Sequence, residues 1–250
     1  MNMNKLLIGL AEKTPDLTTE PGFLLIDDGP IADVFLKQFK RAKLFDPREH
    51  GFNPLPMAYR KAREFASVVY PDKDLMTYED GKRALARMLI VAKSIDRLPV
   101  IKHKGYEHAR DTIDDLLLSP VLKNVLSKPT PRWLFSGSSI VARINRADIG
   151  EHDAHILASL LISQFKGQII VPDFGFYARP FHSSLIREGR LIAGVYTLSE
   201  IEPKLRNLCL LVEKVGRHCT YDDAVVLAEY EGLRPDRNDY NAFIDARMAA

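Results

Sequence analysis

The 250-residue sequence predicts an α/β fold. It has a mainly parallel central sheet covered by helices, a helical insertion and a small helical C-terminal cap. Three observations predict it. Apolar runs at 22–28 (GFLLIDD), 138–144 (SSIVARI), 168–174 (QIIVPDF) and 190–198 (RLIAGVYTL) are continuous rather than alternating, the pattern of strands buried on both faces. Segments of helical period separate these runs, as a parallel sheet with crossover helices requires. The segment from Asp153 to Lys166, closed by Gly167, is apolar nearly all round (Ala154, Ile156, Leu157, Leu160, Leu161, Phe165), as a helix covered on all sides would be.

Composition sets bounds on the function. A hydrophobic fraction of 46% and a charged fraction of 27% are ordinary globular values, enough for a sizeable core. The length suits one large domain or one domain with a small appendage. The net charge of +2 permits nucleic-acid contact without arguing for it. Cys209 and Cys219 provide neither a disulfide framework nor a metal-ligand spacing, which fits a reducing cytoplasm. No apolar run approaches the ~20 residues of a spanning helix. The opening MNMNKLLIGLAEKTPDL has too short an apolar stretch for a signal peptide and no small-residue cleavage site. A soluble cytoplasmic protein without membrane insertion is expected.

In chain order, residues 1–20 carry Thr14, Pro15, Thr18 and Thr19, followed by Pro21, and are expected to be an irregular lead-in. GFLLIDD is a buried strand ending in two carboxylates. Gly29-Pro30 turns the chain into a helix over 31–41, with Pro30 suited to its first position. AKLFD (42–46) is a second strand, making 22–46 a compact βαβ unit, and PREHGFNPLP (47–56) is a loop. Helices are expected at 57–69 and 77–94, the latter opening on Thr77 and Asp80. Residues 99–108 form a basic connection. A helix at 109–127 follows, broken by Pro120. After the strands and helix of 138–198, LCLLVEKV (208–215) reads as one more strand. Thr220 and Asp223 open a helix at 221–231, and a last helix spans 237–248. The helical insertion covers about 57–128 and the C-terminal cap about 220–250 of a single domain.

The order of these motifs resembles the additional-strand P-loop ATPases of the HerA–FtsK superfamily, which include conjugation-coupling and viral DNA-packaging ATPases. GFLLIDDGPIADVF stands where those proteins carry the nucleotide-binding strand, phosphate loop and helix. KLFDPREHGFNPLP is similar to their next strand with its D-P…N-P-L continuation. QIIVPDFG matches the strand bearing the Mg²⁺-linked acidic residue. HSSLIREGRLIAGVYTLSEI is similar to the segment where an Arg precedes a strand ending near a polar sensor. The resemblance implies a P-loop NTPase-like fold. It also implies DNA or an active ATPase as partner, and a homo-oligomeric ring.

The residues depart from that family at the chemistry. A phosphate loop needs G-x-x-x-x-G-K-[ST], with glycine amides around the phosphates, a Lys countercharge and a hydroxyl for Mg²⁺. Here the turn is Asp27-Asp28-Gly29-Pro30, with no Lys, Ser or Thr, and Pro removes an amide donor. Two carboxylates there repel a triphosphate. Asp173 is followed by Phe174, where the family usually places a Glu that orients the attacking water. The expectation is a degenerate member, non-hydrolysing or weakly active, in a DNA-handling, packaging or secretion assembly of a virus or mobile element.

Each candidate site residue has two readings. Asp27, Asp28 and Asp173 would together suit Mg²⁺, and no other cofactor is expected; equally, one of the first two caps the helix after Pro30 while the other faces solvent. Asp27, Asp28 and Gly29 mark the nucleotide-binding position. Asp173 is either a functional carboxylate or a turn carboxylate. The resemblance makes Arg190 a sensor or inter-subunit finger; the alternative is an ion pair with Glu188 or Asp173. His182 reads as an acid–base group or as a structural histidine. His152 and His155, three apart, share a helical face without further ligands. Ser183, Ser184 and Cys209 lack a nucleophile-elbow or activated-thiol setting. Basic clusters at Lys37–Lys43, Arg60–Arg63, Lys82–Arg87 and Lys102–Lys104 follow a phosphate backbone if they converge, and otherwise form a solvated face; Tyr59, Tyr70 and Tyr78 lie near two of them without the spacing of a stacking platform. Alternatives of other classes are a Mg²⁺-dependent hydrolase or phosphotransferase using Asp27, Asp28 and Asp173, and a structural interaction protein on an ATPase-like fold.

Overall fold

The computed structural model describes residues 5–8, 22–70, 76–134, 136–178, 182–209, 213–216 and 221–230. The chain divides into two compact units, 1–27 with 167–250, and 28–166.

The first unit is built on five parallel strands: β1 (Lys5–Ile8), β2 (Phe23–Asp27), β5 (Gln168–Val171), β6 (Leu191–Val195) and β7 (Glu213–Gly216). Their order is β2-β5-β6-β1-β7. β2, β5 and β6 are buried along their whole length, which is why each reads as an unbroken apolar run. The register sets Leu25 beside Ile170, and Ile170 beside Ile192. β1 corrects the expected irregular lead-in: it pairs parallel with both β6 and β7. Four residues between turn formers carry no period of their own, so this strand is specified by partners far downstream.

The first unit's helices are α8 (Phe174–Tyr177), α9 (Ser183–Arg187), α10 (Pro203–Cys209) and α11 (Tyr221–Tyr230), with a 3-10 turn at Leu198–Glu200. The apolar run at 208–215 is therefore not one strand. It begins on α10, which opens on Pro203, and only its last part belongs to β7. α11 is fixed through Asp223, buried at 1% exposure, whose Oδ1 accepts from the Leu198 amide at 2.6 Å. The helix expected at 237–248, and Thr220, lie outside the described residues.

In the second unit, β3 (Lys43–Phe45) and β4 (Ile140–Arg143) pair in parallel. The remaining elements are helical: α1 (Pro30–Gln38), α2 (Tyr59–Val69), α3 (Met76–Val91), α4 (Tyr106–Leu116), α5 (Pro120–Ser127), α6 (Arg146–Ile149) and α7 (Glu151–Gln164). α7 buries every position from Asp153 to Ser163 except His155, as its all-round apolar surface predicts, and it packs against α2, α5 and α6. The helix expected over 109–127 is broken at Pro120 as expected, and Pro120 starts a new helix with Ser119 as its cap, accepting from the Leu122 amide. α3 already runs at Met76, ahead of the expected Thr77 start; the side chain of Thr77 lies outside the described residues, and Asp80 pairs with Lys104 at 2.7 Å.

α2, α3 and α4 form a packed helical layer. The hydroxyl of Tyr70, just past α2, lies 2.8 Å from Thr112 Oγ1 and 3.0 Å from His108 Nδ1 on α4. Gly105 lets the start of α4 meet the backbone of α3. Among the described residues no helix is long and apolar enough to cross a membrane. A Cβ at Gly105 would fall 2.2 Å from the carbonyl of Asp80, which cannot swing aside. Gly105→Ala should therefore cost about 1–3 kcal/mol, read as a lowered melting temperature.

Candidate functional site

In the second unit, the carboxyl ends of β3 and β4 carry a set of carboxylate–guanidinium pairs. β2 leads through Asp28 and Gly29 into α1, which has Pro30 in its first turn; Gly29 is the cap and supplies no side-chain hydrogen bond. The expectation that Asp27 or Asp28 caps α1 is therefore corrected. Asp28 instead accepts on Oδ2 from both Nη2 (2.9 Å) and Nε (3.2 Å) of Arg146. Both side chains are about one-third exposed, 35% and 30%. Arg146 is held there by its own element: Asn145 caps α6 by accepting from the Ala147 amide at 2.9 Å. One turn further along α1, Asp33 pairs with Arg143 of β4.

Beyond β3, Asp46 is buried at 5% exposure and accepts Arg48 Nη2 at 2.8 Å, Arg48 Nε at 3.1 Å and the Arg48 amide at 2.9 Å. Arg48 Nη1 extends to Asp148 at 3.4 Å. The fork from Arg48 holds the Asp46 carboxyl below its ordinary range, outweighing the opposing effect of burial. The Asp46 amide donates to Nδ1 of His50, whose ring stands edge-on to Trp133 at 5.4 Å. The D-P-R-E-H run was visible in the sequence, but the role of Asp46 and Arg48 was not assigned from it. Arg146 had no sequence signal, since its partner lies 118 positions away.

In the first unit, Asp27 ends β2 and is buried at 6% exposure. Asp173 follows β5, the parallel neighbour, so both stand at the carboxyl end of the sheet. Asp173 caps the short α8 through Oδ1, which accepts from the Phe176 amide at 3.3 Å, as a turn carboxylate does. Phe174 is fully buried, with its ring 5.8 Å from that of His182, itself 0% exposed. Glu200 was not singled out from the sequence, yet its carboxylate lies where a side chain at Gly175 would be, and it accepts from the Tyr196 amide at 3.2 Å.

Arg190 is not brought together with Asp27 and Asp173. It precedes β6 at the amino end of the sheet, level with Gln168, so the length of β5, roughly 10 Å, separates it from the acidic strand end. Its Nε donates to the Gly167 carbonyl at 3.1 Å and its Nη1 to Glu188 at 2.7 Å, the ion-pair alternative. Among the described residues no group of three or more His, Cys, Asp or Glu is placed to hold a metal ion, so the expected Mg²⁺ set of Asp27, Asp28 and Asp173 is not assembled. His152 is exposed and His155 half-buried on α7. The side chain of Cys209 lies outside the described residues.

No protein-family model matches the chain, and no curated protein matches it. Solved structures do. The bacterial conjugative coupling protein TrwB, in a ΔN70 form complexed with sulphate, superposes with a TM-score of 0.56 at 11% identity, over 90% of this chain and 72% of that one. VirB4 of Thermoanaerobacter pseudethanolicus also gives 0.56 at 11% identity, over 96% and 83%. An unbound monoclinic form of the TrwB protein gives 0.55 at 12% identity, over 89% and 70%. The chain thus shares the P-loop NTPase-like fold of TrwB and VirB4.

The Asp46 pair has a pH signature. A carboxyl whose native pKa is lowered contributes stability in full above the unfolded value, 3.8, and loses it as pH falls through the native value. Asp46→Asn should cost about 1–3 kcal/mol at pH 7. In denaturant melts the gap to wild type should narrow as pH is taken below 3.8.

Proposed function

We propose that the chain is an ATPase-like component of a DNA-handling, packaging or secretion assembly of a virus or mobile element, with a degenerate nucleotide site that does not hydrolyse ATP. The observation that carries the reading is the Asp28–Arg146 pair at the turn between β2 and α1. In a working phosphate loop that turn presents amides and a Lys to an anion. Here the turn supplies its own anion, and the guanidinium that reaches it is occupied. Pro30 adds no amide, and Asp33 occupies Arg143 in the same way.

The strand end at Asp173 supports the same conclusion. A catalytic Glu after Asp173 would have to face the γ-phosphate and its water, whereas Phe174 at that position is sealed in the core. The fold shared with TrwB and VirB4 supports the assembly role, and a ring of copies or an active ATPase beside it is the arrangement proposed.

Thermal-shift titration of the full chain with ATP and Mg²⁺ tests the reading. A ligand at one hundred times its Kd raises stability by about 2.7 kcal/mol, so millimolar nucleotide would move the melting temperature of any site tighter than about 10 μM by several degrees. The expected result is no shift and no phosphate release above a protein-free blank. A nucleotide-dependent rise, or turnover, would overturn it.

A further inference from the structure

The α2–α3 pair carries a basic cleft that the nucleotide-site reading does not use. Tyr59 and Arg63 lie one turn apart on α2, and Glu79, Lys82, Arg83 and Arg87 recur at helical spacing along α3. The two helices pack against each other, and Ala62, Phe65 and Ala66 of α2 and Ala84, Leu85 and Met88 of α3 are buried. Their polar faces therefore open onto a common cleft of about 410 Å³. Two of the basic clusters separate in sequence converge here, and Tyr59 lines the same cleft, placing an aromatic ring there that its sequence spacing did not indicate.

Among the described residues, Arg63, Lys82, Arg83 and Arg87 line the cleft together with Glu79, whose carboxylate lies 4.0 Å from both Lys82 and Arg83, at the limit of ion pairing. Glu64 pairs instead with Arg60 and Lys61, neither of which lines the cleft. Tyr59 is 61% exposed, with the Arg63 guanidinium 5.8 Å from its ring centre. Cations spaced along a groove follow a phosphate backbone, and an exposed ring among them offers a stacking face to an unpaired base. The volume, at the small end of ligand pockets, suits about one nucleotide unit.

We propose that this cleft binds single-stranded nucleic acid, with phosphates held by Arg63, Arg83 and Arg87 and a base stacked on Tyr59. An acidic peptide would use the cations but not the ring, and a duplex keeps its bases stacked internally. The proposal gives the DNA-handling reading a surface and rests on it only for the source of the strand. Strand binding and ATP turnover are separate measurements, so either can fail alone.

Fluorescence anisotropy of a labelled oligothymidylate of about 16 nucleotides with the full chain tests it. Binding is expected at about 50 mM salt, competed by unlabelled oligothymidylate better than by duplex of equal length or polyglutamate. Arg83→Glu with Arg87→Glu should weaken binding at least tenfold and flatten the log–log salt slope by about 1.4, two single-strand phosphate contacts. Tyr59→Ala should weaken it by about 5- to 150-fold with the slope unchanged. Lys40→Glu with Arg41→Glu, exposed cations beyond α1, should change neither. Melting curves check folding, and Arg83→Gln with Arg87→Gln serves if the charge reversals do not fold. Absence of binding, stronger competition by duplex or polyglutamate, equal loss in the Lys40 and Arg41 variant, or an unaffected Tyr59→Ala would each overturn the proposal.

Discussion

The Asp28–Arg146 pair governs what the candidate nucleotide site is able to do. A partly exposed ion pair contributes little net stability, because solvent screens its attraction and ordering two side chains costs entropy. Its consequence is electrostatic. A triphosphate brings several negative charges to a turn that has one already and no spare countercharge among Arg143 and Arg146. To enter, it would have to displace Asp28 and leave that carboxylate beside the phosphates. Coulomb repulsion at such distances, about 4 kcal/mol per unit pair at an intermediate dielectric, opposes this strongly. The surrounding geometry persists because the sheet and helix are fixed by burial, which is indifferent to the charge on the turn.

The acidic strand end illustrates a related separation of scaffold from chemistry. Asp173 follows β5 as the resemblance implies, but its oxygen is engaged in closing a single helical turn. The chain then has to bury Phe174 and pass beneath Glu200, which is possible because Gly175 has no side chain to meet that carboxylate. Once an apolar residue follows Asp173, the strand end is more useful to the core than to catalysis. The residues there satisfy backbone amides, and a backbone amide satisfied by a carboxylate needs no ligand.

What could be read from the sequence follows from how local each signal is. β2, β5 and β6 and the all-buried α7 were legible, because burial on both faces leaves a continuous apolar run. β1 was not, since four residues joining β6 to β7 look like any short apolar stretch. The split at Pro120 was legible as a break, while α10 was hidden inside a strand-like run that opens on Pro203. At the site, residue types could be read and partners could not. Asp28 was visible as an unsuitable group for a phosphate loop, but nothing in the sequence pointed to Arg146. Of the two readings of Arg190, the pair with Glu188 is the one the structure forms: the residue precedes a strand, and in a parallel sheet that is the end away from the ligand side.

The same locality explains why net charge is a poor guide to local charge. A total of +2 averages over ion pairs that cancel on the spot, as at Asp46 and Arg48, and over faces where they do not. Helix phase decides which is which. Along α2, Glu64 falls on the face that holds Arg60 and Lys61, leaving Arg63 on the face shared with Tyr59. Along α3, Glu79 meets two cations at the limit of pairing and reaches neither Arg63 nor Arg87 closely enough to pair. A mildly basic chain can therefore carry a basic cleft where two short clusters, separate in its sequence, converge. What creates it is the apolar contact between two helices, which turns two dilute rows of cations to face one opening.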